Sequence, residues 1–249
     1  MIQMCSVIYE SRGKAKEYSE LAANLYGGCG HGCTYCYAPS ATFKKREVFY
    51  GEAHPRPNII RQFAKDAAEL GRACETRPIL LSFTTDPYQP IDTKEKLTRE
   101  AIKILHSHNL KVTILTKGGR RSERDFDLLS ARPELSLYGA TLVFSDESLR
   151  QEIEPGAAPT KERIQSLEIA HDEFKIPTWA SFEPVWEAEQ SLELMKEAMD
   201  YIDLFKIGKL NYHPQSKLVN WKQFAHDAIK LMKDNNKNYY IKDDLRKFL

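Results

Sequence analysis

Apolar residues along this chain follow two alternating rhythms. Short runs such as Ile79-Leu80-Leu81 and Thr178-Trp179-Ala180-Ser181-Phe182 are apolar almost throughout, the pattern of strands covered on both faces. Between such runs, Ile59, Phe63, Ala67 and Leu70 recur at helical spacing behind Asn58, the expected N-cap. The pattern predicts strands at about 19–26, 79–85, 111–116, 137–144, 178–182, 201–207 and 239–241, and helices at about 59–70, 95–106, 123–129, 161–174, 192–199 and 221–233. Strands joined through helices make a parallel α/β sheet covered on its outer face, and this many curl into a partial (β/α) barrel of the TIM type. The 249 residues suit one domain of that kind. Residues 1–18 are expected as an N-terminal extension, 19–210 as the barrel core, and 211–249 as a C-terminal helix and strand.

In parallel sheets the chemistry sits at the C-terminal strand ends, and polar groups collect at the predicted ones. They are Thr84-Thr85-Asp86, Thr116-Lys117-Gly118-Gly119, Ser145-Asp146-Glu147, Glu183-Pro184 and Lys206-Ile207-Gly208-Lys209. The first strand ends at Cys29-Gly30-His31-Gly32-Cys33-Thr34-Tyr35-Cys36. Soft thiolates select zinc or iron–sulfur centres. A structural zinc needs a fourth ligand, which His31 would have to supply within eight residues and with no second knuckle. Three thiolates on an iron–sulfur cluster instead leave one iron free. Glu183, a carboxylate at a buried strand end, needs a partner; Lys117, Lys206, Lys209 or a ligand are the candidates.

Composition narrows the class. Apolar residues make up 42% and charged residues 29%, and no run approaches the roughly 18 apolar residues of a membrane span. The start Met1-Ile2-Gln3-Met4-Cys5 lacks the charged-then-apolar pattern of a signal peptide, so a cytoplasmic location without membrane contact is expected. A net charge of +1 gives no general signal for nucleic acid. Lys44-Lys45-Arg46 and the group Lys117, Arg120, Arg121 and Arg124 read as solvated loops unless the fold brings them to one mouth. Of five cysteines, Cys5 and Cys74 stand apart from the loop, which is not a disulfide framework. Cys74 reads as a small buried hydrophobe.

C-x3-C-x2-C with Tyr35 before the last thiol resembles the signature of the radical S-adenosylmethionine (SAM) enzymes. Asn24-Leu25-Tyr26-Gly27-Gly28, Thr85-Asp86-Pro87-Tyr88-Gln89-Pro90, Leu97-Thr98-Arg99, Leu115-Thr116-Lys117, Arg124-Asp125 and Glu154-Pro155-Gly156 extend the likeness, over roughly residues 20–185, to the spore photoproduct lyase-like family. The resemblance implies a partial barrel with a [4Fe-4S] cluster on Cys29, Cys33 and Cys36. It also implies SAM chelated to the free iron and cleaved to a 5′-deoxyadenosyl radical, with an electron donor such as flavodoxin or ferredoxin. By the same resemblance the backbone at Tyr35 meets adenine, Thr85 and Asp86 receive the amino group and ribose of SAM, Lys117 pairs with the methionine carboxylate, and Ser145 adds a hydroxyl. Each has a structural alternative: strand-end capping for Thr85 and Ser145, a turn or helix cap for Asp86, a solvated loop lysine for Lys117. Tyr37 matches a tyrosine on the family's hydrogen-transfer path, or packs on the cluster. Phe83 stands where those lyases carry a hydrogen-donating cysteine. The substrate implied is a nucleobase or nucleotide, in DNA or free, transformed other than by photoproduct repair. A non-catalytic iron–sulfur protein that binds nucleic acid is the alternative of a different class.

Overall fold

The computed structural model describes residues 7–249; Cys5 and the rest of the extreme N-terminus lie outside the described residues. Among the described residues ten short strands occur: β1 (Tyr9–Glu10), β2 (Leu21–Ala23), β3 (Tyr26–Gly27), β4 (His54–Pro55), β5 (Ile79–Leu81), β6 (Val112–Ile114), β7 (Ser136–Thr141), β8 (Thr178–Phe182), β9 (Leu204–Ile207) and β10 (Asn238–Ile241). Eight form one sheet in the order β1-β2-β5-β6-β7-β8-β9-β10. Every pairing in it is parallel except β1 on β2. The architecture is a partial (β/α) barrel of the TIM type. The predicted strands correspond to β2 and β5–β10. The short β1 and the β3–β4 ribbon were missed because two-residue strands leave no periodicity to read.

Strand alternation sorts the core into two layers. Ile79, Leu81, Val112, Ile114, Tyr138, Ala140, Ala180 and Phe182 face the helices. Ala22, Leu80 and Trp179 point into the barrel, where Tyr9, Tyr18, Phe83, Leu115, Leu137 and Leu204 pack on them. Trp179 fills that interior and donates its indole N–H to the Ile114 carbonyl at 2.9 Å. Its cross-strand partner is Gly139, where a Cβ would stand 2.3 Å from the indole nitrogen. Only glycine leaves the ring its place.

The helices Ile59–Arg72, Leu97–Ser107, Ala188–Glu197 and Trp221–Asp234 cover the outside, as their spacing predicts. Two predicted helices are interrupted. A 3₁₀ segment, Gly119–Asp125, precedes Phe126–Ala131, and Thr160–Glu168 runs into a π turn, Ile169–Glu173. Asn58 does not act as a side-chain cap: it lies in the left-handed region at φ 53° and makes no capping hydrogen bond. Asparagine tolerates that conformation, and its carbonyl accepts from the Gln62 N–H at 3.1 Å. Cys74 follows the first of these helices at a positive φ and is exposed, not buried as expected.

The segment before β2 closes the gap between the sheet edges. Lys206 Nζ, inside the barrel, donates to the carbonyls of Glu17 and Tyr18 at 2.9 Å each, and burial pulls its pKa down to about 8. The Glu17 carboxylate accepts from the Asp243 N–H at 2.7 Å and from the Tyr240 hydroxyl at 3.3 Å. The segment before β2 and the segment around β10 therefore meet.

The Gly139–Trp179 contact makes a test of the fold. Gly139→Ala should cost about 1–3 kcal/mol through overpacking, whereas Gly51→Ala, where an added Cβ meets nothing within 4 Å, should be close to neutral. Urea denaturation measures both, and equal stability of the two variants would contradict the packing described.

Candidate functional site

A cavity of about 510 Å³ opens at the C-terminal ends of the strands, within the size range of small-molecule sites. One wall is the cysteine loop, which contributes Cys29, Cys33 and Cys36. Outside elements fix the path of that loop. Gly32 turns it at φ +66°, and Gly156 packs so close that a Cβ there would stand 2.2 Å from the Gly30 carbonyl. The Gly30 N–H donates to Gln89 Oε1 at 2.9 Å, the Gly156 N–H to the His31 carbonyl at 2.9 Å and the Thr34 N–H to the Ile153 carbonyl at 2.9 Å. From the short helix Arg46–Gly51, the Phe49 carbonyl accepts from the Cys29 N–H at 3.1 Å and the Tyr50 hydroxyl donates to the Cys33 carbonyl at 2.8 Å. The Arg46 guanidinium reaches the Cys36 carbonyl at 3.2 Å.

Cys29 and Cys33 are buried and Cys36 is half-buried. Burial pushes the Cys29 thiol up to about 12 and raises those of Cys33 and Cys36. Such thiols ionise when a bound cation compensates the charge. A polynuclear cluster spreads its thiolates over several iron atoms. His31 is not available as a zinc ligand. It is buried, and its Nε2 accepts from Arg121 at 3.0 Å. That leaves the Nδ1 proton facing Asp86, 3.5 Å away. The loop donor set fits an iron–sulfur cluster.

Behind Tyr35 lies a buried charge network that the sequence reading left without roles. Glu154 is bonded by the Tyr35 hydroxyl and by Arg163 Nη2 at 2.6 Å, and Lys117 Nζ stands 3.9 Å away. Burial by itself would raise the Glu154 carboxyl, but the charges of Arg163 and Lys117 hold it below the ordinary carboxylate range. Arg163 is fully buried and also donates to the carbonyls of Ala158 and Thr141. Lys117 and Tyr35 carry this network to the cavity lining.

The adjoining wall carries Ser82, Phe83, Thr85 and Asp86. The Ser82 and Thr85 hydroxyl oxygens are buried with no hydrogen-bond partner, so both are free to meet a polar ligand. Asp86 is largely committed inside the protein. It accepts from the Tyr88 N–H at 2.8 Å, the Thr116 hydroxyl at 2.6 Å and the Lys117 N–H at 2.7 Å. Phe83 accepts at its carbonyl from the Tyr37 hydroxyl at 2.9 Å, and Tyr37, 57% exposed, forms the rim.

Opposite the cysteines stand Tyr18, Glu183, Lys209, Tyr212 and Lys242. The Glu183 carboxylate accepts from the Tyr18 hydroxyl at 2.6 Å and pairs with Lys242, not with Lys117, Lys206 or Lys209 as expected. Lys242 arrives from beyond β10, too distant in sequence to be linked with Glu183 by any local pattern. Ser145 is absent from the lining. Its hydroxyl donates to Glu193 at 2.8 Å because β7 ends four residues earlier, at Thr141, which takes that place in the wall. The two basic groups do not gather at one mouth: Arg120 bonds Gln165, Arg121 is turned to His31 and the Tyr88 carbonyl, and Arg124 pairs with Asp92.

A partial (β/α) barrel with three thiols in the wall of a cavity at its C-terminal strand ends is the architecture from which the class of the protein follows. Residues 23–182 match the family model described as the radical SAM superfamily, and the chain belongs to that superfamily. It is 28% identical over 169 residues to an uncharacterized protein of Methanocaldococcus jannaschii, covering 65% of this chain and 59% of that one. It is 27% identical over 215 residues to an uncharacterized protein of Acidianus two-tailed virus, covering 80% and 68% respectively. The chain thus spans about three-fifths of the length of the first of these relatives. A tyrosine-to-phenylalanine mutant of spore photoproduct lyase superposes with a TM-score of 0.70 at 14% identity, over 93% of this chain and 78% of that one. Streptococcus suis SuiB bound to SAM superposes at 0.62 and 14% identity, over 88% and 49%. At these identities the likeness is one of fold, and the fold is spore photoproduct lyase-like. No helix among the described residues is long and apolar enough to cross a membrane.

The buried pair at the base of the site can be tested alone. Arg163→Met strands the Glu154 carboxylate and should cost about 3–5 kcal/mol, read by denaturant unfolding. Because the folded pKa of Glu154 is depressed, the pair's contribution is complete above the unfolded carboxyl value of about 4.3 and fades as pH falls through the lower folded value. A loss that stayed constant into acid would contradict the ion pair.

Proposed function

We propose that this chain is a radical SAM enzyme that acts on a nucleobase or nucleotide by hydrogen abstraction. The observation that carries the reading is the convergence of Cys29, Cys33 and Cys36 on one cavity wall beside two unpartnered buried hydroxyls and the Lys117 ammonium. When bound, a [4Fe-4S] cluster and SAM supply reductive cleavage to methionine and a 5′-deoxyadenosyl radical, given an electron from a carrier such as flavodoxin or ferredoxin. The chain's own residues bind and aim. The three thiolates hold the cluster, Ser82 and Thr85 offer hydroxyls to the polar groups of SAM, and Lys117 offers its ammonium to the methionine carboxylate. Asp86 positions rather than binds, since it holds the Lys117 backbone and faces His31 under the cysteine loop. The backbone at Tyr35 meets adenine, and Glu183 with Lys242 fixes the far wall where the substrate lies.

The substrate class rests on the fold likeness to a spore photoproduct lyase solved with a dinucleoside spore photoproduct. Phe83 argues for a different outcome on that substrate class. A benzyl side chain has no transferable hydrogen comparable to a thiol's, and the described Cys74 lies at the other end of the barrel, before β5 begins. Tyr37, hydrogen-bonded to the Phe83 carbonyl, is the phenol placed to donate instead.

Two experiments test this reading. Cys29→Ala, Cys33→Ala and Cys36→Ala should each abolish iron–sulfur absorption and 5′-deoxyadenosine formation after anaerobic reconstitution, while Cys74→Ala should keep both. Thr85→Val should keep the cluster and weaken SAM binding by roughly threefold to tenfold, the loss of one neutral hydrogen bond of about 0.5–1.5 kcal/mol. A full cluster without Cys33 would overturn the assignment.

The second concerns the reaction. Wild-type protein should release 5′-deoxyadenosine when reduced, yet fail to repair spore photoproduct in DNA; Phe83→Cys should gain repair. Repair by the wild type, followed by chromatography of the digested DNA, would refute the role given to Phe83.

A further inference from the structure

The stretch between the third cysteine and β4 carries an unusual surface. Among the described residues Phe43 is 98% exposed, Tyr37 57% and Val48 40%, three large apolar side chains within twelve positions of one segment. Lys44, Lys45 and Arg46 lie among them, opposed only by Glu47. Exposed aromatic side chains ringed by charge mark interaction sites. Tyr37 lines the cavity, but none of Phe43, Lys44 and Lys45 does, so the part of this surface from Phe43 onward is outside the place where SAM and substrate are proposed to bind. The cavity-wall cations Arg12 and Lys209 belong to other segments.

The same stretch is tied to the backbone of every cluster cysteine. Phe49 bonds Cys29, Tyr50 bonds Cys33 and Arg46 bonds Cys36. Cys36, the least buried of the three thiols, is where the segment begins. A protein seated on Phe43, Lys44 and Lys45 would therefore sit in fixed register against the cysteine loop, separated from it by one layer of chain. We infer that this face, Phe43–Val48, is the docking surface for a small acidic one-electron carrier protein. Positive charge with a central aromatic anchor complements an acidic carrier, and Arg46 joins this face directly to the Cys36 backbone. The event is one outer-sphere electron transfer: the carrier is oxidised by one electron, the cluster reduced by one, and no bond forms or breaks between the proteins. The inference rests on the radical SAM reading above.

The test compares wild type, Phe43→Ala and Lys44→Glu/Lys45→Glu with a charge-matched control, Lys233→Glu/Lys237→Glu, which lies just before β10 at the opposite end of the barrel. Each is reconstituted anaerobically and mixed with prereduced flavodoxin while the loss of iron–sulfur absorption is followed. Binding of oxidised flavodoxin is measured separately by calorimetry. At low salt, both surface variants should be reduced about tenfold or more slowly than wild type, and the charge reversal should lose the salt dependence that steering confers. The control, and every variant reduced by dithionite, should match wild type. Wild-type rates and affinity for flavodoxin in the charge-reversed variant would overturn the inference. So would a wild type that dithionite reduces and flavodoxin does not, or a charge reversal that loses affinity for labelled single-stranded DNA while its reduction by flavodoxin stays intact. If dithionite yields neither a reduced cluster nor 5′-deoxyadenosine from the wild type, the radical SAM reading itself fails and the docking face falls with it.

Discussion

The geometry of this protein depends on holding one short loop whose own residues cannot hold it. Cys29 to Cys36 forms no helix or strand, and its thiols are removed from water where ionisation without a counter-charge is costly. The loop keeps its path because backbone groups of distant segments bond to it, among them Ile153, Gly156, Phe49 and the side chain of Gln89. Each bond is worth little alone. Together they leave the loop one conformation, with the three sulfurs turned to the cavity, so that binding a cluster need not first order the chain.

The second constraint is electrostatic and lies directly behind the loop. Arg163 and Glu154 are both inaccessible to water, which is tolerable because each has further hydrogen-bond partners. Their pairing fixes the Tyr35 hydroxyl and draws the Lys117 ammonium to the cavity. Asp86 performs a similar duty on the neighbouring strand ends, joining Thr116, the Lys117 amide and His31. Carboxylates that a motif marks as ligand contacts are here, in large part, the frame on which the contacts are mounted. The buried hydroxyls of Ser82 and Thr85 are left without a partner among the described residues, and Lys117 lines the cavity.

The open edge of the sheet imposes a third demand. A partial barrel exposes unpaired strand groups unless something covers them, and the segment Gly13–Tyr18 lies across β9 and β10 through Glu17, Tyr18 and Lys206. The result brings Tyr18 and Lys242 together at Glu183. The far wall of the cavity is thus a product of barrel closure, built from the segment before β2 and the segment around β10.

Local chemistry made part of this legible in advance. Runs such as Ile79-Leu80-Leu81 and the helical spacing of Ile59, Phe63, Ala67 and Leu70 betray parallel strands and covering helices, because period and burial act within a few residues. Three cysteines within eight residues mark a thiol loop for the same reason. Positions set by partners far along the chain carried no such signal. Asn58 looks like a cap but has a left-handed backbone, Ser145 looks like a strand end but lies beyond Thr141, and nothing near Glu183 indicates that its cation is Lys242, 59 residues away. The sequence by itself determined the alternation, the thiol loop and the polar strand ends, all short-range properties of the chain. Which of those polar groups are consumed by buried partners and which remain free in the cavity was decided only by the tertiary structure, since a buried charge takes its partner from whatever the closed barrel brings within reach.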